Sequence, residues 1–177
     1  PASIHYVDLA NTKWGTIESL QSFAWEEAPS RAQRVIRTGD TIVGTVRPGN
    51  GSYAYVHKDG LTASTGFAAL RPREAIFKEF IYLAVTHREN IERLAHIADG
   101  GAYPAVRPEV VAATPAIWPG EDILKAFSQI LSPCFDQMAA NKKECDTLSS
   151  LRDTLLPKLI SGELRVRDAE KFLKDAA

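Results

Sequence analysis

Apolar residues recur along this chain with two different periods, and the change between them falls near Pro72. Before it, short alternating runs separated by turn residues predict a mixed β region. Ile4 to Leu9 predicts a strand, and Asn11 to Gly15 (N-T-K-W-G) predicts a turn that presents Trp14. Arg37-Thr38-Gly39-Asp40 is a turn leading into Thr41 to Val46, a β-branched run that reads as a buried strand. Pro48-Gly49-Asn50-Gly51-Ser52 is the strongest loop signal in the chain. Tyr53 to His57 then alternates aromatic and aliphatic residues, and Asp59-Gly60 turns the chain into a further strand around Thr62 to Leu70.

After Arg71-Pro72 the spacing becomes helical. Phe77, Phe80, Ile81 and Ala84 share one face, and Ile91, Leu94, Ala95 and Ala98 share another, with Asp99-Gly100-Gly101 as a stop. Tyr103 to Pro119 carries four prolines and reads as irregular. From Glu121 to Leu156 there is no glycine, and Leu124, Phe127, Leu131, Cys134, Met138, Asn141, Cys145 and Leu148 follow at alternating steps of three and four. That is a heptad seam, and a stripe this narrow requires a helix alongside, reached either by folding back onto its own domain or by a coiled coil with a second copy or a missing part of the same chain. Ser132 and Pro133 predict the N-cap and first position of a new helix. This second piece, to Leu156, would be about 36 Å long. Pro157 is expected to bend or end it, Ser161-Gly162 to close it, and Asp168 to cap a short last helix through Leu173. The expected fold class is α+β: a globular domain over 1–119, then a long helical region and tail over 120–177.

Composition narrows the function. The 177 residues are 45% hydrophobic and 24% charged, a globular balance, with a net charge of −1. That neutrality fails the usual test for a nucleic-acid binder, which asks for a strongly basic domain. No apolar run approaches the length of a membrane span. No secretory pattern opens the chain and only two cysteines occur, which together favour the cytoplasm. The start at Pro1 rather than Met suggests a processed chain, internal numbering or a fragment.

Candidate chemistry is sparse. His5, His57, His87 and His96 have no metal spacing, and no nucleotide-binding or nucleophile-elbow motif is present. Cys134 and Cys145 lie eleven apart on one helical face and read as small apolar seam residues. Asn141 is a polar seam position of the kind that fixes register and partner choice. The window from Arg31 to Arg47 holds Arg31, Arg34, Arg37 and Arg47 against Asp40 alone, followed by the Gly/Asn loop and by Tyr53 and Tyr55. Arginines beside a flexible loop with aromatics suit phosphate and base-edge contact, although such a charge excess also occurs on ordinary solvated faces.

One string is more specific. Leu151-Arg-Asp-Thr-Leu-Leu-Pro-Lys-Leu-Ile-Ser-Gly-Glu-Leu-Arg-Val166 resembles the conserved region that ends the specificity subunits of type I restriction-modification systems. Gly39-Asp-Thr-Ile-Val-Gly-Thr-Val-Arg-Pro48, Ala63-Ser-Thr-Gly-Phe67 and Gly101-Ala-Tyr-Pro104 resemble that family's target-recognition domain, in the same order. The resemblance implies a non-catalytic subunit. Full members carry two recognition domains, each reading half of a bipartite DNA site, and two long helices paired as an antiparallel coiled coil. One domain and one helix make this chain a half subunit or the C-terminal half of a longer one. The resemblance implies no cofactor here, with S-adenosylmethionine and ATP in partner subunits. The implied partners are double-stranded DNA, methyltransferase and restriction subunits, and a second copy or missing half through the helix.

On that reading the expected DNA-facing residues are Lys13, Trp14, Arg34, Arg47, Asn50, Tyr53, Lys58, Ser64, Tyr103 and Arg107. Arginine suits guanine and Asn50 suits adenine, while Lys13, Arg34 and Lys58 suit phosphates. The expected coiled-coil residues are Leu131, Cys134, Met138, Asn141, Cys145, Leu148 and Leu155. The alternative is a protein-assembly subunit that holds partners through the helix without touching DNA.

Overall fold

The computed structural model describes residues 3–99 and 103–165. The glycine pair at 100–101 and the expected helix from Asp168 to Leu173 lie outside the described residues. The chain resolves into two compact units, 1–132 and 133–177.

Three small sheets build the first unit. Strands β1 (Ser3–Val7), β4 (Gln21–Ala24), β5 (Ala32–Ile36) and β8 (Leu61–Ser64) form a sheet of order β4-β1-β8-β5, in which only the β1–β8 pair is parallel. Strands β6 (Thr41–Gly44), β7 (Tyr53–Tyr55) and β9 (Phe67–Leu70) form an antiparallel sheet of order β7-β6-β9. Strands β2 (Thr12–Lys13) and β3 (Thr16–Ile17) make a minimal hairpin. The predicted turn at Asn11 to Gly15 is therefore the tip of a hairpin, with Trp14 and Gly15 as its two loop residues.

The continuous apolar run at β6 has a direct cause: the strand is buried on both faces. Ile42 joins Val7, Ile36, Ala54, Val56, Leu61 and Phe67 in one core, and Val43 joins Ala68, Val85, Leu94 and Val111 in a second. That second core is closed by α1 (Lys78–Thr86), α2 (Arg88–Ala98) and α3 (Pro108–Ala112), and Ile91, Leu94 and Ala98 of α2 are buried as their spacing predicts. Where the chain enters β6, Asp40 is buried and accepts from Arg71 Nε at 2.9 Å, Arg71 Nη2 at 2.6 Å and the Arg37 N–H at 2.8 Å.

The last helix, α4 (Glu121–Ile160), departs from expectation at Pro133. No new helix begins there. Pro133 and Pro157 both sit inside a helix of 40 residues, about 60 Å at the standard rise. Proline removes one helical hydrogen bond, and here the helix tolerates that loss twice. Ser132 does not act as a cap, because its hydroxyl donates to Glu79 Oε1 at 2.6 Å while Ser128 donates to Glu79 Oε2 at 3.2 Å. These bonds satisfy a fully buried carboxylate on α1. Pro157 does not end the helix, which runs three residues further to Ile160 and is closed by Gly162, in the left-handed region at φ +77°. In the second unit, Met138, Leu148, Leu151, Leu156 and Ile160 are all about half or more exposed. No helix among the described residues is long and apolar enough to cross a membrane.

Candidate nucleic-acid interface

Two loops meet at one end of the β6–β7 hairpin. In the first, Trp14 and Gly15 both take positive φ, +47° and +88°, which suits a two-residue hairpin whose twist must match its strands. In the second, Arg47 adopts the left-handed conformation (φ 46°, ψ 60°), Pro48–Asn50 form one tight turn, and Gly51 returns at φ +69°. The backbones join directly: the Trp14 N–H donates to Gly51 O at 2.7 Å, and the Gly15 N–H to Tyr53 O at 3.0 Å. The Trp14 indole lies over Gly51 so closely that a Cβ there would stand 2.7 Å from three ring atoms. Its edge meets the Tyr53 ring at 6.1 Å between centroids.

The Tyr103–Arg107 segment completes this end. The Arg47 N–H donates to Pro104 O at 2.9 Å, the Val106 N–H to Thr45 O at 2.9 Å, and Ala105 bridges Val46. Arg47, Gly49, Asn50, Ala95, Asp99 and Pro104 line a cleft of about 360 Å³. Arg47 and Asn50 are exposed, and neither side chain has a hydrogen-bond or ion-pair partner among the described residues. A non-glycine residue held at positive φ stores strain, and such positions cluster at functional sites. Trp14 and Arg47 are the non-glycine residues with positive φ among the described residues, and both are here.

Lys13, Trp14, Arg47, Asn50, Tyr53, Tyr103 and Arg107 are thus gathered into one region. Tyr53 is half-buried, and burial raises its phenol above the ordinary value; Tyr82 behind it is raised first by burial and then by the Tyr53 charge. Lys58 is not gathered, since it follows the far end of β7. Arg34 lies on β5 in the other sheet, where its Nε is buried with no hydrogen-bond partner among the described residues. Ser64 corrects the sequence reading. It is 1% exposed in β8, and its hydroxyl accepts from the Gly66 N–H, so it offers no surface atom. Sequence reasoning missed Gly15 and Gly51 as the residues that let the two loops touch; the N-T-K-W-G and P-G-N-G strings were their only trace.

The seam residues from Cys134 to Leu148 are exposed on α4, and Leu131 and Leu155 are partly so.

Comparison with known proteins bears on this arrangement. No family model matches the chain. It is 26% identical over 135 residues to the type I restriction enzyme HindI specificity subunit of Haemophilus influenzae, covering 73% of this chain and 29% of that protein. It is 32% identical over 89 residues to the MjaIX specificity subunit of Methanocaldococcus jannaschii, covering 50% and 20%. A solved chain of a type I R-M system superposes over 89% of this chain with TM-score 0.61 at 25% identity. In sequence and in fold, this chain is similar to part of a type I restriction specificity subunit. The HsdS subunit from Thermoanaerobacter tengcongensis gives the same result, at TM-score 0.55 and 26% identity over 86% of this chain. The chain spans 29% or less of these curated subunits and about two fifths of the solved chains. The match to specificity subunits includes the mixed sheet-and-helix domain and the long C-terminal helix, as the sequence resemblance implied.

Proposed function

We propose that this chain is the DNA sequence-recognition module of a type I restriction-modification complex, reading one half of a bipartite site. Residues 1–119 would be the recognition domain, and 120–177 the helical region that pairs with another helix and docks methyltransferase subunits. The observation that carries this reading is the extent of the likeness: 89% of the chain superposes on a type I R-M chain. The loop end fits the role. It offers unpaired Arg47 and Asn50 side chains, which suit base edges, and Lys13 and Arg107, which suit phosphates. Catalysis would reside in the methyltransferase and restriction partners.

The test is an exchange. The chain is assembled with its methyltransferase partners and the methylated site is mapped. Replacing residues 1–119 by another recognition domain should change one half of that site. An unchanged site would overturn the proposal.

The neutral net charge favours a second reading, an assembly subunit that never contacts DNA. Salt separates the two. Contact with several phosphates makes affinity fall steeply as salt rises, whereas a pure assembly subunit has no DNA affinity to lose.

A further inference from the structure

Glu79 lies on α1 and is fully buried, at 0% exposure. A buried carboxylate is tolerated only when it is paired and hydrogen-bonded, so its partners are informative. Lys78 Nζ stands 3.4 Å from Oε1. The Ser132 hydroxyl donates to the same oxygen at 2.6 Å, and the Ser128 hydroxyl donates to Oε2 at 3.2 Å. Both carboxylate oxygens are thus held by one element, α4, through two serines a single turn apart on one face. Ser132 is also the last residue of the first compact unit, and Pro133 opens the second. Pro133 has no N–H, so the helix lacks a backbone bond immediately beyond the serines. Kinks in long helices fall at such positions.

Apolar contacts hold the same turns of α4, but they do not fix its pose. Leu124 is buried, and Phe127 meets Phe80 edge-on at 6.5 Å between centroids. Hydrophobic contact is non-directional and tolerates a small roll or slide of the helix. Two hydrogen bonds to one carboxylate do not, because they weaken steeply with distance and angle. They hold only while one face of α4, at one axial position, meets Glu79. Apolar side chains of similar volume would often be as stable here, so direction is what the polar cluster adds.

We propose that Glu79, Ser128 and Ser132 form a latch that sets the direction in which α4 leaves the recognition domain, and thereby the spacer length accepted between two half-sites. This rests on the recognition role proposed above and adds the residues that govern spacing. They act through the helix, as positioning residues. The lever is long: from Ser132 to Ile160 the helix runs about 42 Å at the standard rise. A tilt of about 5° at the latch moves the far end by about 3.7 Å, close to the roughly 3.4 Å of one base step.

The test uses the full chain assembled with its methyltransferase partners. Methylation rates are compared on duplexes whose half-sites are kept and whose spacer is shortened or lengthened by one base pair. Misplacement by about an ångström can lower a rate on the order of a hundredfold, so the unmutated chain should prefer one spacer by at least about tenfold. Ser128→Ala with Ser132→Ala should flatten that preference while the bases read stay the same. Ser128→Thr with Ser132→Thr, which keeps both hydroxyls, should restore most of it. Glu79→Leu combined with both alanines replaces the latch by apolar groups. That variant should keep its urea midpoint yet still lose the preference, which a merely structural role would not produce. Spacer preference retained in both alanine variants would overturn the proposal, and so would a change in the bases read. A measurement without DNA separates the latch from the recognition role. Spin labels at Cys145 and at Glu26→Cys, with Cys134→Ser, report the distance from domain to helix in labelled chain diluted with unlabelled chain. The distance distribution should be narrow with the serines present and broaden in the double alanine variant; an unchanged distribution overturns the latch. A complex that methylates no bipartite site overturns the recognition role, and the distance distribution then still decides whether the latch holds α4.

Discussion

Gly51 offers a direct test of how the two loops are held together. Its φ of +69° lies in the left-handed region, and a Cβ would meet three atoms of the Trp14 indole at 2.7 Å. Gly60 supplies a matched control, because its φ is +81° and nothing lies within 4 Å of its Cβ position. Gly60→Ala should therefore cost only the backbone penalty, roughly 1–2 kcal/mol, reduced by about 0.4–1 kcal/mol because alanine restricts the unfolded chain. Gly51→Ala should carry the same penalty plus about 1–3 kcal/mol for overpacking against a ring that must move. Urea unfolding followed by circular dichroism reads both at constant m-value. The decisive step is a cycle. In a Trp14→Ala background the excess cost at Gly51 should vanish and the two glycine substitutions should become equal. If Gly51→Ala costs no more than Gly60→Ala in the unmutated chain, the indole does not rest on that glycine and the two-loop site is wrongly described.

Three further outcomes are expected. Arg71→Ala removes two charge-assisted bonds from buried Asp40 and should destabilise the domain by about 1.5–3 kcal/mol, read by the same urea assay. With partner methyltransferase present, Lys13→Ala should weaken DNA binding equally across sequences and lower the salt slope by about one, whereas Arg47→Ala should also relax discrimination at one base position. Tyr53 and Tyr82 favour their neutral forms in the fold, so the native state binds more protons than the unfolded chain above pH 10. Their contribution is constant below that pH and lost as pH climbs through the raised values. Absorbance at the phenolate band should show delayed ionisation that Tyr53→Phe reduces.

The strands at Thr41–Gly44 and Tyr53–Tyr55 were legible because burial on both faces, or strict alternation, leaves a mark in the residue types. Strand β4 was not legible. Gln21, Ser22 and Ala24 are exposed, and only pairing with β1 makes that segment a strand. At Ser132-Pro133 a sound local rule met a stronger tertiary demand. The hydroxyl that would cap a new helix serves the buried Glu79, 53 residues away in sequence. Ser64 failed for a related reason, since its neighbours resemble a recognition motif while its own position points into the sheet. The gathering of Trp14, Arg47 and Tyr103 at one end depended on strand pairing between distant segments, which no single stretch of sequence records.

Net charge counts against the proposed DNA contact only if the charge is spread evenly over the domain. Basic and acidic residues balance at six each in residues 1–60 and again in 61–120. The loop end nevertheless exposes Lys13, Arg47 and Arg107 together. Two phosphate contacts, from Lys13 and Arg107, would give a salt slope near −1.8, the signature of a weak binder rather than of none. A weak half-site reader becomes useful when two are joined at fixed spacing, because the second contact is then made at high effective concentration. On this view the rigid helix and the neutral domain are one solution: affinity comes from joining two readers, so neither needs a strongly basic face that would hold DNA of any sequence.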